Sequence, residues 1–160
     1  MVITGASRGI GRALALHYAA AGAHLTLMAR SAELLEEVAG LCRARGATVD
    51  VRIADTTDAA AMAQAIREAQ ARAGLDLLIA NAGIGGAQAM AGPAGEHPDA
   101  ARAIANVNFV GVVNTIAPAI AGMAQQGRGR IVIVGSVAGL VPLPSSPVYS
   151  AAKAGIRAYG

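Results

Sequence analysis

The chain has 160 residues, a formal net charge of +3 and 54% hydrophobic residues, with aromatics at 2% and no Trp. This length fits one domain able to bury roughly two-thirds of its unfolded surface. The dearth of aromatics removes the stacking platforms of single-strand nucleic-acid binders, and the scattered arginines form no basic stripe for a nucleic acid or a membrane. Cys42 is the only cysteine, so an internal disulfide is excluded and a reducing, cytoplasmic setting is expected.

Met1 runs directly into an apolar pair, Val2-Ile3, with no charged and apolar leader, so no signal peptide is expected. Val2-Ile3 reads as a strand, and Thr4-Gly5-Ala6-Ser7-Arg8-Gly9-Ile10-Gly11 follows it. Glycines placed where a strand turns abruptly into a helix supply φ > 0 and carry no Cβ to block a ligand. The helix N-terminus beyond them offers free N–H groups and about half a positive charge, which suits a diphosphate. The alternative is a tight turn that binds nothing.

The helix over 10–21 is closed by Gly22, and His24–Ala29 is a second strand. Ser31 caps a helix from Ala32 to Arg45 that Gly46 stops. Val49–Ile53 alternates with period two and is a third strand; Thr57 or Asp58 then caps a helix through Ala73. Asp76–Ala80 is a nearly continuous apolar run, as in a buried parallel strand. Pro98 and Asp99 open a long helix reaching Gln125, with Pro118 inside as a kink. Its uncharged stretch from Val107 to Ala124 has membrane-spanning length, but Asn108, Asn114, Thr115 and Pro118 interrupt it. Burial against a sheet or a partner subunit is the expectation. Arg130–Val134 is a fifth strand, and a last helix starts near Tyr149 and runs to the end of the chain.

With no repeat, low-complexity tract or linker, residues 1–160 read as a single α/β domain. Regular βα alternation with short connections predicts a doubly wound parallel sheet with helices on both faces, because right-handed crossovers permit little else. Ligands of such sheets bind beyond the carboxyl ends of the strands. The glycine turn, Arg30, Asp55, Asn81 and Ser136 all follow strand ends, so they should line one edge.

With these pieces placed, the whole chain resembles the short-chain dehydrogenase/reductase family. The resemblance is carried by Thr4-Gly5-x-x-x-Gly9-Ile10-Gly11, Asp55, Asn81-Ala82-Gly83, Asn108, Ser136 and Tyr149-x-x-x-Lys153. It implies a three-layer α/β/α Rossmann fold with strand order 3-2-1-4-5, the family's later strands following Gly160. It implies a dinucleotide held by Gly5, Ser7, Arg8, Gly9, Ile10, Gly11, Asp55, Thr56, Asn81, Ala82, Gly83, Tyr149 and Lys153. It further implies a small carbonyl or alcohol substrate and a homodimer or homotetramer. Ala80 stands where the family often has a second Asn, with little functional loss expected because Asn81 in the family mainly steadies the sheet. A chain ending at Gly160 is expected to be a poorly soluble or inactive fragment, with the fifth strand as an apolar sheet edge.

Tyr149 and Lys153 lie four apart on a helix and share a face. A free tyrosine has a pKa of about 10, which a cation within a few ångströms lowers by about 1–3 units. By resemblance, Tyr149 is the general acid or base for hydride transfer between a nicotinamide and a carbonyl or alcohol. Ser136 then holds the reacting oxygen, Lys153 also binds the nicotinamide ribose, and Asn108 holds a proton-carrying water. The bland alternatives are a turn residue at Ser136 and a satisfied polar group at Asn108. After strand two the chain reads Met28-Ala29-Arg30-Ser31, without the carboxylate that would bind a ribose 2′-hydroxyl. NADP(H) is therefore expected over NAD(H), with Arg30 on the 2′-phosphate and Arg8 as a second cation. Asp55 is expected at the adenine edge or as a cap of the next helix. His17, His24 and His97 are isolated and Cys42 has no partner at ligand spacing, so no metal is expected.

The competing functions are a dinucleotide-binding fragment without turnover and an epimerase or dehydratase of the family's extended branch. The three residues between Gly5 and Gly9 argue against the latter. Residues 84–95 and 137–148 are expected to line the substrate pocket, and Leu140, Val141, Leu143 and Val148 suggest an uncharged substrate.

Overall fold

Strands rich in Val, Ile and Leu on both faces must be covered from both sides, and the intervening amphipathic helices provide the cover. The computed structural model describes residues 1–85 and 96–160. Five parallel strands, β1 (Val2–Thr4), β2 (His24–Ala29), β3 (Thr48–Ile53), β4 (Leu77–Ala80) and β5 (Arg130–Ile133), form one sheet in the order β3-β2-β1-β4-β5. The order reverses at β1 and β4, so their carboxyl ends diverge into helices on opposite faces.

Successive residues of the three central strands, β2, β1 and β4, feed different cores. Ile3, Leu25, Leu27 and Ile79 pack with α1 (Gly9–Tyr18) and α2 (Ala32–Arg43) through Ala15, Leu35, Val38 and Ala39. Val2, Met28, Leu78 and Ala80 meet α3 (Ala59–Ala73) and α5 (Gly111–Gln126) through Met62, Ile66, Val112 and Ile116, and α6 (Pro147–Tyr159) adds Ile156. A short α4 (Pro98–Ala105) precedes α5. Pro98–Gln126 is long and apolar enough to cross a membrane by length and composition. Within this fold its Val112, Ile116, Ala119 and Met123 are buried in the second core.

Several boundaries differ from the sequence expectation, each for a local reason. α1 ends at Tyr18 rather than residue 21, because Ala19 is already extended and the Arg45 guanidinium donates to the Leu16 carbonyl at 2.5 Å. Gly22 (φ 82°) serves the turn after it. α2 ends at Arg43 because the next turn tightens, Arg45 N–H reaching Cys42 and Gly46 N–H reaching Arg43. Of the two candidate caps for α3, Asp58 takes the role, its carboxylate accepting from Ala61 N–H at 2.9 Å. The expected long helix is interrupted by one π turn, Asn106–Val110. Pro118 lies inside α5 without ending it. The last helix starts at Pro147, two residues before Tyr149, since a proline is well suited to a first helical position.

Two polar clusters fasten the sheet's β2–β3 side. Asp50 on β3 accepts from His24 Nε2 at 2.9 Å and pairs with Arg72 of α3 at 2.6 Å, while Arg52 pairs with Glu68 at 2.7 Å. Burial alone would raise the Asp50 carboxyl, but the hydrogen bond from His24 and the charges of Arg72, His24 and Arg52 together bring it below the usual value of 3.8. A carboxyl lowered in the folded state adds stability above its unfolded pKa and loses it as pH falls through the folded value. Asp50→Asn should therefore cost about 1 kcal/mol near pH 7, or about 2–4 °C in Tm. In thermal melts from pH 7 downward, the gap between variant and wild type should close below about pH 4.

Candidate active site

Thr4 closes β1, and its hydroxyl spans to β4. Oγ1 donates to the Ile79 carbonyl at 3.4 Å and accepts from the N–H groups of Asn81 and Ala82, each at 3.1 Å. The Asn81 carboxamide answers by donating to the Thr4 and Gly5 carbonyls at 3.0 and 3.3 Å. This reciprocal set holds two strand ends together where their chains separate. Gly5 (φ 65°) lies so close to Asn81-Ala82 that a Cβ would come within 2.9 Å of the Ala82 Cα. A Cβ on Gly11 would collide with the Gly5 carbonyl and sit 2.6 Å from Asn81 Nδ2. Gly9 (φ 55°) differs, because among the described residues nothing lies within 4 Å of where its Cβ would be.

The turn therefore presents open space in front of α1. Arg8, at its N-cap, is extended and makes no side-chain cap, and the first turn contains no acidic residue. Among the described residues no backbone or capping partner takes the N–H groups there, which suits them to an anion. A cleft of about 560 Å³ lies beside them, lined by Gly5, Ser7, Arg8, Arg30, Asp55 and Thr56 among others. An adjoining cavity of about 300 Å³ is bounded by Gly9, Ile10, Asn81, Asn108, Tyr149 and Lys153. Ala82 and Gly83 line both. A glycine cradle, a bare helix end and a continuous cleft fit a dinucleotide with its diphosphate at α1.

The far end of the cleft is built from β2 and β3. Arg30 is largely exposed, with Nη1 3.8 Å from Asp55 Oδ2. The other Asp55 oxygen accepts from Thr57 N–H at 2.9 Å and Thr57 Oγ1 at 2.8 Å. Thr57 N–H is the main reason the Asp55 carboxyl lies below its ordinary value; burial opposes it, and the Thr57 hydroxyl and Arg30 reinforce it. Asp55 does not cap α3, which Asp58 does. Helix α5 holds the same loop from behind. Asn114 Nδ2 donates to the Thr56 carbonyl at 2.9 Å, and Gly111 lets the Thr56 hydroxyl approach to 2.6 Å from where a Cβ would stand. Asn114 was visible in the sequence only as a polar break in an apolar helix.

At the other end, α6 places Tyr149 and Lys153 on one face. Lys153 is 7% exposed, its Nζ donates to the Val134 carbonyl at 2.8 Å, and it stands 5.9 Å from the centre of the Tyr149 ring. Burial lowers the lysine below its usual 10.5. Gly139 permits the close packing, since a Cβ there would lie 2.7 Å from the Lys153 carbonyl oxygen. Asn108 is wholly buried in the π turn, and its side chain forms a two-bond pair with Ile84, accepting from N–H and donating to C=O, each at 2.8 Å. Ser136 caps the turn Val137–Gly139, its Oγ accepting from Ala138 N–H at 3.2 Å. It lines a separate apolar cavity of about 620 Å³ that shares Gly135 and Lys153 with the smaller one. Ile10, Val137, Leu140 and Val141 are all at least 60% exposed around this end. Of the two stretches expected at a substrate pocket, residues 86–95 lie outside the described part of the chain.

A family model described as short chain dehydrogenase matches residues 1–159. The chain belongs to that family. A human relative, hydroxysteroid 11-beta-dehydrogenase 1-like protein, is 39% identical over 155 residues, covering 96% of this chain and 48% of the relative. The short chain dehydrogenase fold superposes on NAD⁺-bound xylitol dehydrogenase with a TM-score of 0.91 at 28% identity, covering 99% of this chain and 60% of that one. A variant of actinorhodin polyketide ketoreductase with NADPH gives 0.89 at 26% identity, covering 99% and 60%. The chain thus spans between about half and two-thirds of the proteins it is compared with here.

The glycine geometry separates two kinds of requirement in this member of the family. Gly11→Ala should destabilise the fold by about 1–3 kcal/mol, since backbone must move. Gly9→Ala should cost less than Gly11→Ala, about 1 kcal/mol, for its left-handed backbone alone. Urea unfolding of both variants, at unchanged m-value, checks the order.

Proposed function

We propose that this protein is an NADP(H)-dependent oxidoreductase interconverting a carbonyl and a secondary alcohol, with Tyr149 as general acid and base. The observation that carries this reading is that Tyr149 and Lys153 line the same cavity as the glycine turn. Gly5, Ser7, Arg8, Gly9, Ile10 and Gly11 would hold the diphosphate through backbone N–H groups. Asp55 and Thr56 would border the adenine, and Asn81, Ala82 and Gly83 the cleft floor. When bound, the dinucleotide supplies or accepts the hydride.

The remaining chemistry belongs to the chain. The Tyr149 hydroxyl donates a proton to the carbonyl oxygen during reduction and removes one from the alcohol during oxidation. Ser136 lines the neighbouring cavity, which meets that of Tyr149 at Gly135 and Lys153, and a substrate spanning the two would let Ser136 Oγ hydrogen-bond the same oxygen. Lys153 has further N–H donors beyond the one on Val134, for the ribose and for the proton path. The Asn108 side chain is paired with the Ile84 backbone, so its support for a proton-carrying water would come through the position of that backbone beside Lys153. The apolar side chains Val137, Leu140 and Val141 favour an uncharged substrate.

Tyr149→Phe should lower kcat by about 10²–10⁴-fold with little change in dinucleotide affinity. Reduction of a panel of aldehydes and ketones, followed by loss of the reduced nicotinamide's absorbance, measures this. An isomerisation would leave that absorbance unchanged. Arg30→Ala should reduce kcat/KM for NADPH by about 10–100-fold while sparing NADH. A wild-type preference for NADH would refute the Arg30 assignment.

A further inference from the structure

Helix α6 starts poorly on its own. Pro147 at its first position has no N–H, Ser146 at the N-cap makes no side-chain cap, and the first turn has no acidic residue. Val148 therefore carries the first backbone donor of the helix, one residue before Tyr149. Its partner comes from far away in sequence. Glu96 Oε2 accepts from Val148 N–H at 3.1 Å, and Oε1 lies at 3.4 Å.

Glu96 directly precedes His97, which caps α4 through its own ring nitrogen, so this carboxylate is not needed by the adjacent helix. A carboxylate at a helix start both accepts a hydrogen bond and faces the positive end of the helix dipole. The neighbouring turn is tied in as well: Ser150 Oγ donates to the Ser146 carbonyl and accepts from Leu143 N–H. Glu96 lines neither the dinucleotide cleft nor the adjoining cavity.

From this we infer that Glu96 is a positioning residue, a cap supplied from the α4 side that fixes the first turn of α6 and with it the Tyr149 phenol. The inference rests on the reading of Tyr149 as the proton donor. A group held this way affects turnover more than cofactor binding, because Tyr149 must be placed for the reacting oxygen whereas the diphosphate site lies at α1. Misplacement of a reacting group by even about an ångström can cost about a hundredfold in rate, so loosening one turn should be visible.

The test compares Glu96→Ala, Glu96→Gln and Glu96→Asp in the protein expressed from its full reading frame, with amide exchange read at Val148 and Tyr149 beside steady-state kinetics. Glu96→Ala should speed Val148 exchange by about 10–100-fold. It should also lower kcat about tenfold, with KM for NADPH changed less than about twofold. Glu96→Gln keeps an acceptor of the same shape and should retain kcat within about threefold. Glu96→Asp, one methylene shorter, should fall between, and it serves if the alanine variant does not fold. Unchanged Val148 exchange in the alanine and aspartate variants overturns the inference. So does freed Val148 exchange with unaltered kcat. Absence of any carbonyl reduction by the wild type would instead sink the oxidoreductase reading, while the exchange data would still decide whether Glu96 caps α6.

Discussion

The pairing of Thr4 with Asn81 is the constraint on which the site depends. At β1 and β4 the sheet changes direction, and two parallel strands that end side by side send their chains to opposite faces. Strand ends at such a point lose ladder partners, and splaying would leave buried backbone groups unsatisfied. The hydroxyl and carboxamide replace the missing ladder: Thr4 Oγ1 serves two N–H groups, and Asn81 Nδ2 serves two carbonyls. Only then can Gly5 approach Ala82 closely and Gly11 pass under Gly5, so the turn in front of α1 takes one shape. The absence of a second Asn at Ala80 fits this arrangement, since the strand end is already bonded through its successor.

A second constraint is the burial of polar groups behind the cavity. Lys153 and Asn108 are both removed from solvent, and a buried polar group without partners costs roughly 1–3 kcal/mol. Asn108 meets this through the backbone of Ile84, and the π turn places it to do so by adding one residue to the helical turn. Lys153 meets it through Val134 at the end of β5, which keeps one ammonium hydrogen engaged and leaves the others directed elsewhere. Burial lowers the lysine, so its charge is easier to lose than that of an exposed side chain. On the proposed reading, that suits a group asked to relay protons beside the tyrosine.

The parallel sheet and its two-faced cores were readable from the sequence because they follow from alternation, apolar runs and crossover handedness, all of which are local or topological, whereas the strand order came only with the family resemblance. The grouping of strand-end residues at one edge was readable for the same reason. What escaped were contacts between residues far apart in the chain. Arg45, in the turn after α2, ends α1, Asn114 holds Thr56 from 58 residues away, and Glu96 reaches Val148 across 52. The π turn was hidden for another reason: a single added residue barely disturbs a 3.6-residue period over a helical run of this length. Asn114 shows that a polar residue in an apolar helix carries information twice, as an argument against a lipid environment and as a signal of a backbone carbonyl awaiting a donor.

The cofactor question turns on a competition visible in the cleft. Solved relatives of this fold include one bound to NADPH and one bound to NAD⁺, so the fold alone does not choose. Choice falls to the side chains after β2. A carboxylate at the end of that strand would repel a 2′-phosphate and bind a hydroxyl pair; this chain has Ala29 and Arg30 instead. Among the described residues the acid paired with Arg30 is Asp55, which has one oxygen occupied by Thr57 and the other 3.8 Å from Arg30, too long for a strong hydrogen bond. Both groups are exposed, and an exposed pair of this kind is worth well under about 1 kcal/mol. Asp55 therefore competes only weakly for Arg30, which lines the same cleft. On the proposed reading, a phosphate dianion, offering more charge and more acceptors, would draw the guanidinium from that contact at little cost.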